Sequence, residues 1–441
     1  MIEISSYKNK DVGILGAGLS GLAAAKILLS SKANLYIFDD QKNKPNHIRK
    51  NSWKNYKFWP WKTLKTVVVS PGIPINAKHK HNAIQLAIKN KVKIINEIDL
   101  FVETEPKAKI IGITGTNGKS TTVALLFHIL NFNKIKCVIG GNYGFPACEI
   151  KDPGKDGVII LELSSYQLDG AKKLSLDLAS ITNITPDHLD YHETFYRYKL
   201  SKLKIIDFLK SNGTFIFNVN DKLLNQTMNQ RKYKYINVIK IKNNEFLNYI
   251  NDNDYLRGSH NQVNGSIAIS MARYLNINNE KIKIAIKNFK GLPHRMEPIY
   301  ISNKIKIIND SKSTNGESTA AALQSFDNIF WIVGGQPKSG GIGESKKFLN
   351  KVVEVFLIGN STHFFCKEIL KFKKNLSMHH CFTLEKAIKL AIDKGATSNL
   401  KSYVILFSPS AASFDQFQNF EQRGNKFKEI VNKQLNEILK K

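Results

Sequence analysis

One segment of the chain reads Gly112-Ile113-Thr114-Gly115-Thr116-Asn117-Gly118-Lys119-Ser120-Thr121-Thr122. A β-branched run, Ile110–Ile113, leads into it, and the helical pattern Ser120–Leu130 follows. Glycines between a strand and a helix let backbone N–H groups surround phosphate oxygens, while a lysine reaches the β- and γ-phosphates and a hydroxyl binds Mg²⁺. The segment therefore predicts a P-loop for a nucleoside triphosphate, with Lys119 on the phosphates and Ser120 on the metal.

A second glycine loop lies near the N-terminus and reads Gly16-Ala17-Gly18-Leu19-Ser20-Gly21. It follows the apolar run Val12–Leu15 and opens a helical pattern, so a helix N-terminus could attract a pyrophosphate there. Asp39 and Asp40 end the next predicted strand, where a carboxylate can accept a hydrogen bond from a ribose hydroxyl. Taken alone, this loop is also compatible with an NAD-type site or with an ordinary tight turn.

Away from these loops, short β-branched runs alternate with helical patterns along most of the 441 residues. Such alternation is typical of α/β domains built on parallel sheets. The turn Gly291-Leu292-Pro293 separates the last α/β stretch from the preceding one, and the polar stretch 236–255 is expected to be a strand-and-loop excursion. The length allows roughly two to four domains.

The composition limits the classes of function. The net charge is +29, with 65 Lys+Arg against 36 Asp+Glu, which raises nucleic acid as a partner. Only seven of the basic residues are arginines, however, and the lysines are scattered without a basic stripe, so we expect no nucleic-acid role. The four cysteines are far apart, which fits a reducing cytoplasm, and no segment has the uncharged apolar length of a membrane span.

Candidate metal ligands follow two further predicted strands. Glu162 comes directly after the apolar run Val158–Leu161, and His188 follows another strand within Asp187-His188-Leu189-Asp190. Active sites of α/β proteins lie at such carboxyl ends. A carboxylate, an imidazole and the hydroxyl of Ser120 are suitable partners for a divalent cation beside a triphosphate, so these residues predict a Mg²⁺ site.

Together these motifs resemble the Mur ligases of the Mur ligase and folylpolyglutamate synthetase superfamily, over essentially the whole chain. The features similar to Mur ligases in general are Gly115–Thr122, Gly140-Gly141-Asn142-Tyr143-Gly144, Glu162–Gln167 and Asp187–Asp190. Those closer to the D-glutamate-adding branch are Leu292–Arg295, Asp310–Asn315 and Ser413–Gly424. An Asp-Asn-Pro-Arg signature, expected of the branch that adds diaminopimelate or lysine, is absent from the sequence.

The resemblance implies three domains: a Rossmann-like domain for the UDP-substrate at residues 1–97, a central P-loop ATPase domain with a mainly parallel sheet at 98–291, and a C-terminal Rossmann-like α/β domain for the amino acid at 292–441. It implies that ATP drives the joining of D-glutamate to UDP-N-acetylmuramoyl-L-alanine through an acyl phosphate. It also implies a cytoplasmic monomer that uses small-molecule substrates, two Mg²⁺ ions, and a carbamylated Lys202.

The resemblance also assigns roles to individual positions. Lys119, His188 and Lys202 are the implied catalytic residues, and the implied metal ligands are Ser120, Glu162, His188 and the Lys202 carbamate. The implied ATP contacts are Gly115, Thr116, Asn117, Gly118, Lys119, Ser120, Thr121, Asn264, Arg295 and Asp310. The implied contacts to the UDP-substrate are Leu19, Ser20, Asp39, Gly72, Asn142 and Gln167. The implied D-glutamate contacts are Lys312, Thr314, Lys338, Ser413 and Phe420.

Two readings from other classes stay open at this point. An NAD-linked oxidoreductase would explain the loop at Gly16–Gly21 but leaves the P-loop, Glu162 and His188 without a role. A P-loop protein acting on nucleic acid would explain the charge and the ATP site. Saturable NADH binding would favour the first reading, and nucleic-acid-stimulated ATP hydrolysis would favour the second.

Overall fold

The computed structural model describes residues 3–41, 43–45, 48, 50–230, 235–242, 246–250, 253–256, 258–337 and 340–439. Its strands are mostly parallel and alternate with helices, which confirms the predicted α/β class.

The N-terminal sheet is parallel, and its strands are β1 (Asp11–Leu15), β2 (Asn34–Phe38), β3 (Leu64–Val69) and β4 (Lys93–Ile95). The strand order is β2-β1-β3-β4, so β1 is central and its residues 12–15 are buried. Its helices are α1 (Leu19–Ser30), α2 (Asn82–Lys89) and α3 (Glu97–Val102). The first glycine loop connects β1 to α1, at the carboxyl edge of the sheet.

The second sheet has six parallel strands: β5 (Lys109–Thr114), β6 (Cys137–Gly141), β7 (Val158–Glu162), β8 (Leu176–Ile181), β9 (Leu209–Asn218) and β10 (Asn237–Ile241). Its helices are α4 (Lys119–Phe132), α5 (Ser165–Gly170), α6 (Leu189–His192), α7 (Phe195–Asp207) and α8 (Lys222–Gln230). The strand order is β10-β9-β8-β5-β7-β6, so the order reverses at β5. Ligands of open α/β sheets bind at such switch points, and the P-loop leaves β5 there.

The chain continues through α9 (Leu247–Ile250), α10 (Ser259–Tyr274) and α11 (Asn279–Lys287) into a third sheet. Its strands are β11 (Glu297–Ile301), β12 (Ile305–Asn309), β13 (Ile329–Gly334), β15 (Val352–Ile358), β16 (Ser377–Phe382) and β17 (Tyr403–Phe407), and the short strands β14 (Gln336–Pro337) and β18 (Ala411–Ala412) pair separately. Its helices are α12 (Gly316–Gln324), α13 (Thr362–Leu370), α14 (Leu384–Thr397) and α15 (Phe420–Leu439). The strand order is β11-β12-β17-β13-β15-β16, and among the described strands of this sheet only the edge strand β11 runs antiparallel to its neighbour.

Contacts divide the chain into two compact units, residues 1–246 with 263–286 and residues 247–262 with 287–441. The first unit holds the first two sheets, and one apolar core extends through both of them. In the second unit, separate apolar cores cover the two faces of the third sheet. The proposed boundaries after residues 97 and 291 stay predictions. Within the described residues, no helix is both long enough and apolar enough to cross a membrane.

Candidate active site

Two glycines give the P-loop its shape. Gly115 has φ of 147° and Gly118, the residue before α4, has φ of 87°, backbone conformations that other residues rarely adopt. A Cβ on Gly115 would lie 1.9 Å from the hydroxyl of Thr182, and a Cβ on Gly118 would lie 2.1 Å from the amide oxygen of Asn264. Only glycine fits at either position, and the same distances place Thr182 and the predicted ATP contact Asn264 directly against the loop.

The segment after β8 holds the P-loop through backbone and side-chain hydrogen bonds. The N–H of Thr116 donates to the carbonyl oxygen of Asn183 at 2.9 Å, and the N–H of Asn117 donates to the Asn183 side chain at 3.0 Å. Thr182 donates its hydroxyl to the carbonyl oxygen of Asn117 at 2.5 Å. The loop is therefore pre-formed by residues more than sixty positions away in sequence.

Lys119 bends back over the loop, where its Nζ donates to the carbonyl oxygens of Gly115 at 2.8 Å and Thr116 at 2.9 Å. Ser120 is buried in the first turn of α4, next to Thr121. The helix N-terminus adds partial positive charge at this point. The geometry thus concentrates donors and positive charge where phosphates bind a P-loop.

Glu162 is the last residue of β7, beside β5, and its side chain is buried. Its Oε1 accepts a hydrogen bond from Asn142 Nδ2 at 2.7 Å, whereas Oε2 has no hydrogen-bond partner in the part of the chain that the structure describes. Leaving a buried carboxylate oxygen unpaired is costly unless a ligand completes it. The predicted metal ligand Glu162 and the predicted substrate contact Asn142 therefore lie together.

His188 precedes α6 in a left-handed conformation, with φ of 53°. Its Nδ1 is 2.8 Å from the hydroxyl of Tyr166 on α5, and its Nε2 is 3.6 Å from Asp187 Oδ2. A non-glycine residue held in this region of φ is uncommon and costs free energy, which is typical of functional sites.

Lys202 is buried on α7, and its Nζ donates to the carbonyl oxygen of Gly115 at 2.7 Å. Burial holds the pKa of its ammonium group well below the usual range, and the nearby cation of Lys119 lowers it further. The carboxylates of Asp187 and Glu162 oppose this effect. Lys202, Lys119 and Glu162 therefore lie in one electrostatic neighbourhood at the P-loop, and their roles in catalysis and metal binding stay predictions.

The predicted contacts for the UDP-substrate at the first sheet differ in exposure and in bonding. Leu19 is 82% exposed at the start of α1, and Ser20 beside it is half-buried. Asp39 binds the glycine loop itself, because its Oδ2 accepts the N–H of Ala17 at 2.6 Å. Its Oδ1 accepts the N–H of Gln41 at 2.9 Å. A Cβ on Gly72 would meet nothing within 4 Å, so its surroundings are open.

Gln167, the remaining predicted contact for the UDP-substrate, is buried in α5. Its amide oxygen accepts the N–H of Ser164 at 3.0 Å and completes a capping box with that residue. Its backbone carbonyl accepts from Asn96 at 2.7 Å. The side chain therefore stabilises the helix start that follows Glu162.

The second unit contains most of the predicted amino-acid contacts and two nucleotide contacts. Asp310 follows β12, and its carboxylate accepts the N–H of Met296 at 3.2 Å and the hydroxyl of Ser408 at 2.9 Å. Burial raises the pKa of the Asp310 carboxyl to about 7, although these hydrogen bonds and the charge of Arg295 oppose the shift. Arg295 lies in the turn before β11, where its N–H donates to the carbonyl oxygen of Leu292 at 3.3 Å.

Lys312 and Phe420 lie together, with the lysine Nζ 3.5 Å from the centroid of the ring. Ser413 is buried beyond β18, and Thr314 is half-buried just before α12. Lys338 lies outside the described residues. Lys312 and Phe420 are thus in contact, and their sharing of an amino-acid pocket stays a prediction.

Two further residues at these sites, Tyr166 and Arg423, were not predicted from the sequence. Tyr166 contacts the imidazole of His188, and Arg423 on α15 is buried with its NH2 donating to the carbonyl oxygens of Ser311 at 2.7 Å and Ala411 at 3.1 Å. Among the residues that the structure describes, none forms a hydrogen bond with Arg423 NH1. The sequence feature that could have identified Arg423 is its place among the apolar positions of a helix, in a chain with few arginines.

Within the described ranges of the chain, no three His, Cys, Asp or Glu side chains form a metal-binding group. The proposed ligand set includes only two such residues, Glu162 and His188, and otherwise depends on a hydroxyl and a modified lysine.

Comparison with known proteins identifies the class first. The family model for the Mur ligase middle domain matches residues 113–288. The fold is similar to that of the UDP-N-acetylmuramate-alanine ligase MurC from Thermotoga maritima, with a TM-score of 0.57 at 17% identity over 96% of this chain and 99% of that one. It is also similar to the MurF ligase from Thermotoga maritima in complex with ADP, with a TM-score of 0.58 at 16% identity over 98% of both chains. The chain thus has the Mur ligase fold.

Relatives that match over nearly the full chain indicate which family of Mur ligases the chain belongs to. The chain is 34% identical to the UDP-N-acetylmuramoylalanine–D-glutamate ligase of Rickettsia felis, over 99% of this chain and 100% of that protein. It is 34% identical to the enzyme of the same name from Brucella abortus, over 98% of this chain and 97% of that protein. The chain therefore belongs to the UDP-N-acetylmuramoylalanine–D-glutamate ligase family.

Proposed function

We propose that this chain is an ATP-dependent ligase that adds D-glutamate to UDP-N-acetylmuramoyl-L-alanine in peptidoglycan precursor synthesis. The relatives over the full chain are named for this ligation. The observation that carries the proposal is the meeting of three groups at the P-loop. These are the Lys119 ammonium, the Glu162 carboxylate with its unpaired oxygen, and the buried amine of Lys202.

The chemistry requires that a carboxylate become a good acyl donor. Its oxygen attacks the γ-phosphorus of ATP, which releases ADP and leaves an acyl phosphate. The amine of D-glutamate then adds to the acyl carbon, and the tetrahedral intermediate expels phosphate while the nitrogen loses a proton. Both steps concentrate negative charge, so positioned cations and N–H donors lower their barriers. Lys119 and the N-terminus of α4 supply such donors here.

The residues at the P-loop fit a divalent cation. Mg²⁺ prefers oxygen ligands, and Glu162 presents a buried oxygen that no protein group satisfies within the described residues. We propose that Glu162, Ser120 and His188 bind two Mg²⁺ ions. When bound, these ions would supply positive charge that stabilises the phosphates. Asn142 keeps the Glu162 carboxylate in place through Oε1.

The surroundings of Lys202 favour carbamylation. A neutral amine attacks the carbon of CO₂, forms a C–N bond and releases one proton, which leaves an anionic carbamate. Burial lowers the pKa of Lys202, which favours the neutral amine needed for this step over the ammonium form. Once formed, the carbamate would be stabilised by the Lys119 cation and would offer oxygen ligands to a metal.

We propose that the second unit supplies the amino-acid pocket. Lys312, Thr314 and Ser413 provide an ammonium group and two hydroxyls, which suit a dicarboxylate amino acid, and Phe420 packs on Lys312. We propose, from the sequence alone, that Lys338 contributes to the same pocket. Asn264, Arg295 and Asp310 are proposed contacts to the adenine, phosphate and ribose of ATP.

The proposal is tested by phosphate release from ATP with D-glutamate, L-glutamate or another amino acid, with and without UDP-N-acetylmuramoyl-L-alanine. We expect release only when D-glutamate and the UDP-substrate are both present. Lys119→Ala should abolish it, whereas Lys109→Ala, a matched change at the exposed opposite end of β5, should not. Release that needs no UDP-substrate, or that nucleic acid stimulates, would overturn the proposal.

We further propose that the enzyme is a monomer of the cytoplasm. All four cysteines are free thiols, which is consistent with a reducing compartment. Sedimentation equilibrium of the purified chain would measure the mass directly, and a dimer mass would contradict the monomer.

A further inference from the structure

Asp40 and His81 join two loops at the carboxyl edge of the first sheet. Asp40 follows β2, and its Oδ2 lies 3.0 Å from Nε2 of His81, which follows β3 and precedes α2. In the strand order β2-β1-β3-β4, β1 lies between these two strands, and the order reverses there. Ligands of open α/β sheets bind at the carboxyl ends of strands at such a point. The pair therefore lies at the edge where the UDP-substrate is proposed to bind.

The tautomer of the His81 imidazole follows from its hydrogen bonds. Its Nδ1 accepts the N–H of Ala83 at 3.0 Å and so caps the first turn of α2. A ring nitrogen that accepts a hydrogen bond carries no proton, so the N–H of the ring is on Nε2 and donates to Asp40. The ring also packs edge-on against Tyr56, with centroids 5.2 Å apart at an angle of 72°. The Oδ2 of Asp40 is thus held by a side chain that is itself fixed by the backbone and by packing.

The two carboxylates after β2 differ in what they offer to a ligand. Both oxygens of Asp39 accept backbone N–H groups, from Ala17 at 2.6 Å and from Gln41 at 2.9 Å, so this side chain shapes its own loop. Asp40 uses Oδ2 for His81, and its side chain is 53% exposed, so a ligand can reach Oδ1. The sequence could not distinguish these neighbours, because both end the same predicted strand. The hydrogen bonds favour Asp40.

We propose that Asp40 Oδ1 accepts a hydrogen bond from a ribose hydroxyl of the UDP-substrate, and that His81 is a positioning residue for this carboxylate. This inference rests on the proposed function, because it takes a uridine nucleotide as the ligand of the first sheet. An acidic side chain after the second strand of a nucleotide-binding βαβ unit characteristically accepts from a ribose hydroxyl. Since the acceptor is ionised, a ligand that lacks the hydroxyl should bind clearly more weakly.

The test compares UDP, used as a probe for the UDP-substrate, with 2′-deoxy-UDP and 3′-deoxy-UDP, by isothermal titration calorimetry on the full chain. We expect the wild type to bind UDP about 10- to 100-fold more tightly than at least one of the two analogues. Asp40→Ala should bind UDP and that analogue with dissociation constants within about threefold of each other. His81→Phe keeps a ring against Tyr56 but lacks the N–H, so it should reduce the preference for UDP.

Asp11→Ala is the matched control. Asp11 begins β1 at the opposite edge of the same sheet, and its carboxylate accepts hydrogen bonds from Asn34 at 3.1 Å and from Thr63 at 2.5 Å. Its removal should lower the midpoint of thermal unfolding without changing the preference for UDP over the analogues. The preference is a ratio of two dissociation constants, so it does not depend on turnover or on a uniform loss of binding.

Equal affinity of the wild type for UDP and both analogues would overturn the inference, and so would a preference that survives in Asp40→Ala. A preference that is lost in Asp40→Ala but unchanged in His81→Phe would contradict the positioning role of His81. Phosphate release from ATP tests the proposed function separately. Release that requires the UDP-substrate, in a protein without any preference for the ribose hydroxyls, would refute the role of Asp40 and leave the ligase activity in place.

Discussion

Lys202→Met separates a chemical role of the buried lysine from a structural one. The side chain is 2% exposed, and its Nζ bonds to the carbonyl oxygen of Gly115 at 2.7 Å and lies 4.7 Å from the ring centroid of Tyr198. Methionine retains the length and apolar packing of the stem but removes the nitrogen, and with it any carbamate. The effects on stability and on turnover should therefore differ strongly.

The stability effect is small because two contributions oppose each other. Losing the hydrogen bond to Gly115 costs about 1 kcal/mol. Removing a buried amine avoids a desolvation cost of similar size. The midpoint of thermal unfolding should therefore stay within about 4 °C of the wild type. Turnover should fall by at least about 10²-fold, the loss typical of a removed electrostatic contact, which is about 2.7 kcal/mol in the barrier.

The assay is phosphate release under saturating substrates, together with thermal unfolding of the same samples. Lys199→Met on the same helix is the control, because that ammonium lies over the exposed ring of Tyr196 and not at the P-loop. Acetate should partly rescue Lys202→Ala, which leaves space for a small carboxylate, but not Lys202→Met, whose side chain fills that space. Protein equilibrated with ¹³CO₂ should show a carbamate carbon signal that Lys202→Met lacks. Wild-type turnover of Lys202→Met in CO₂-depleted buffer would refute the reasoning.

Three further predictions concern the other site residues. Glu162→Gln keeps the hydrogen bond from Asn142 but removes a charge from the metal site, so turnover should fall by at least about 10²-fold; near-normal turnover at limiting Mg²⁺ would exclude Glu162 from that site. Lys312→Ala should raise the KM for D-glutamate far more than the KM for ATP, and equal increases would indicate a structural lysine. The folded-state pKa of Asp310 is about 7, above the unfolded value of about 3.9, so between these values the folded chain holds a proton that the unfolded chain has lost. Its contribution to the free energy of unfolding should thus fall as pH rises from about 4 to about 7, and Asp310→Asn should flatten that slope in urea titrations; equal slopes in both proteins would refute the shift.

The sequence alone was sufficient to predict those features of the fold that depend on residues close together in the chain. The predicted strands Ile110–Ile113 and Val158–Leu161 lie within β5 and β7, and α4 begins at Lys119, one residue before its predicted start. Glycine spacing, β-branched runs and strand ends are local signals, and they act through backbone conformation and side-chain alternation. For the same reason, the position of Glu162 at the carboxyl end of a strand follows from the sequence alone.

Contacts between distant segments could not be predicted in this way. The hydrogen bonds between the P-loop and the residues Thr182 and Asn183 form because β8 lies beside β5. The hydrophobic periodicity of the sequence does not specify the order of strands in a sheet. The bond from Arg423 to Ser311 spans 112 residues. Asp39 illustrates a different difficulty, because the predicted ribose contact already binds the N–H of Ala17. A carboxylate at a strand end can shape its own loop as well as bind a ligand.

The two lysines at positions 202 and 204 show why residue type and spacing do not settle chemistry. Both are at least half-buried on α7, and burial lowers the pKa of both ammonium groups. The Nζ of Lys204, however, donates to the carbonyl oxygens of Asp169 at 3.2 Å and Ala171 at 2.5 Å, at the C-terminal end of α5, where such oxygens lack helical partners. Lys204 thus stabilises the end of the helix that carries Tyr166, while Lys202, two residues earlier, points at the P-loop. A shifted pKa identifies a buried amine, and the partner atoms determine whether that amine supports the fold or the reaction.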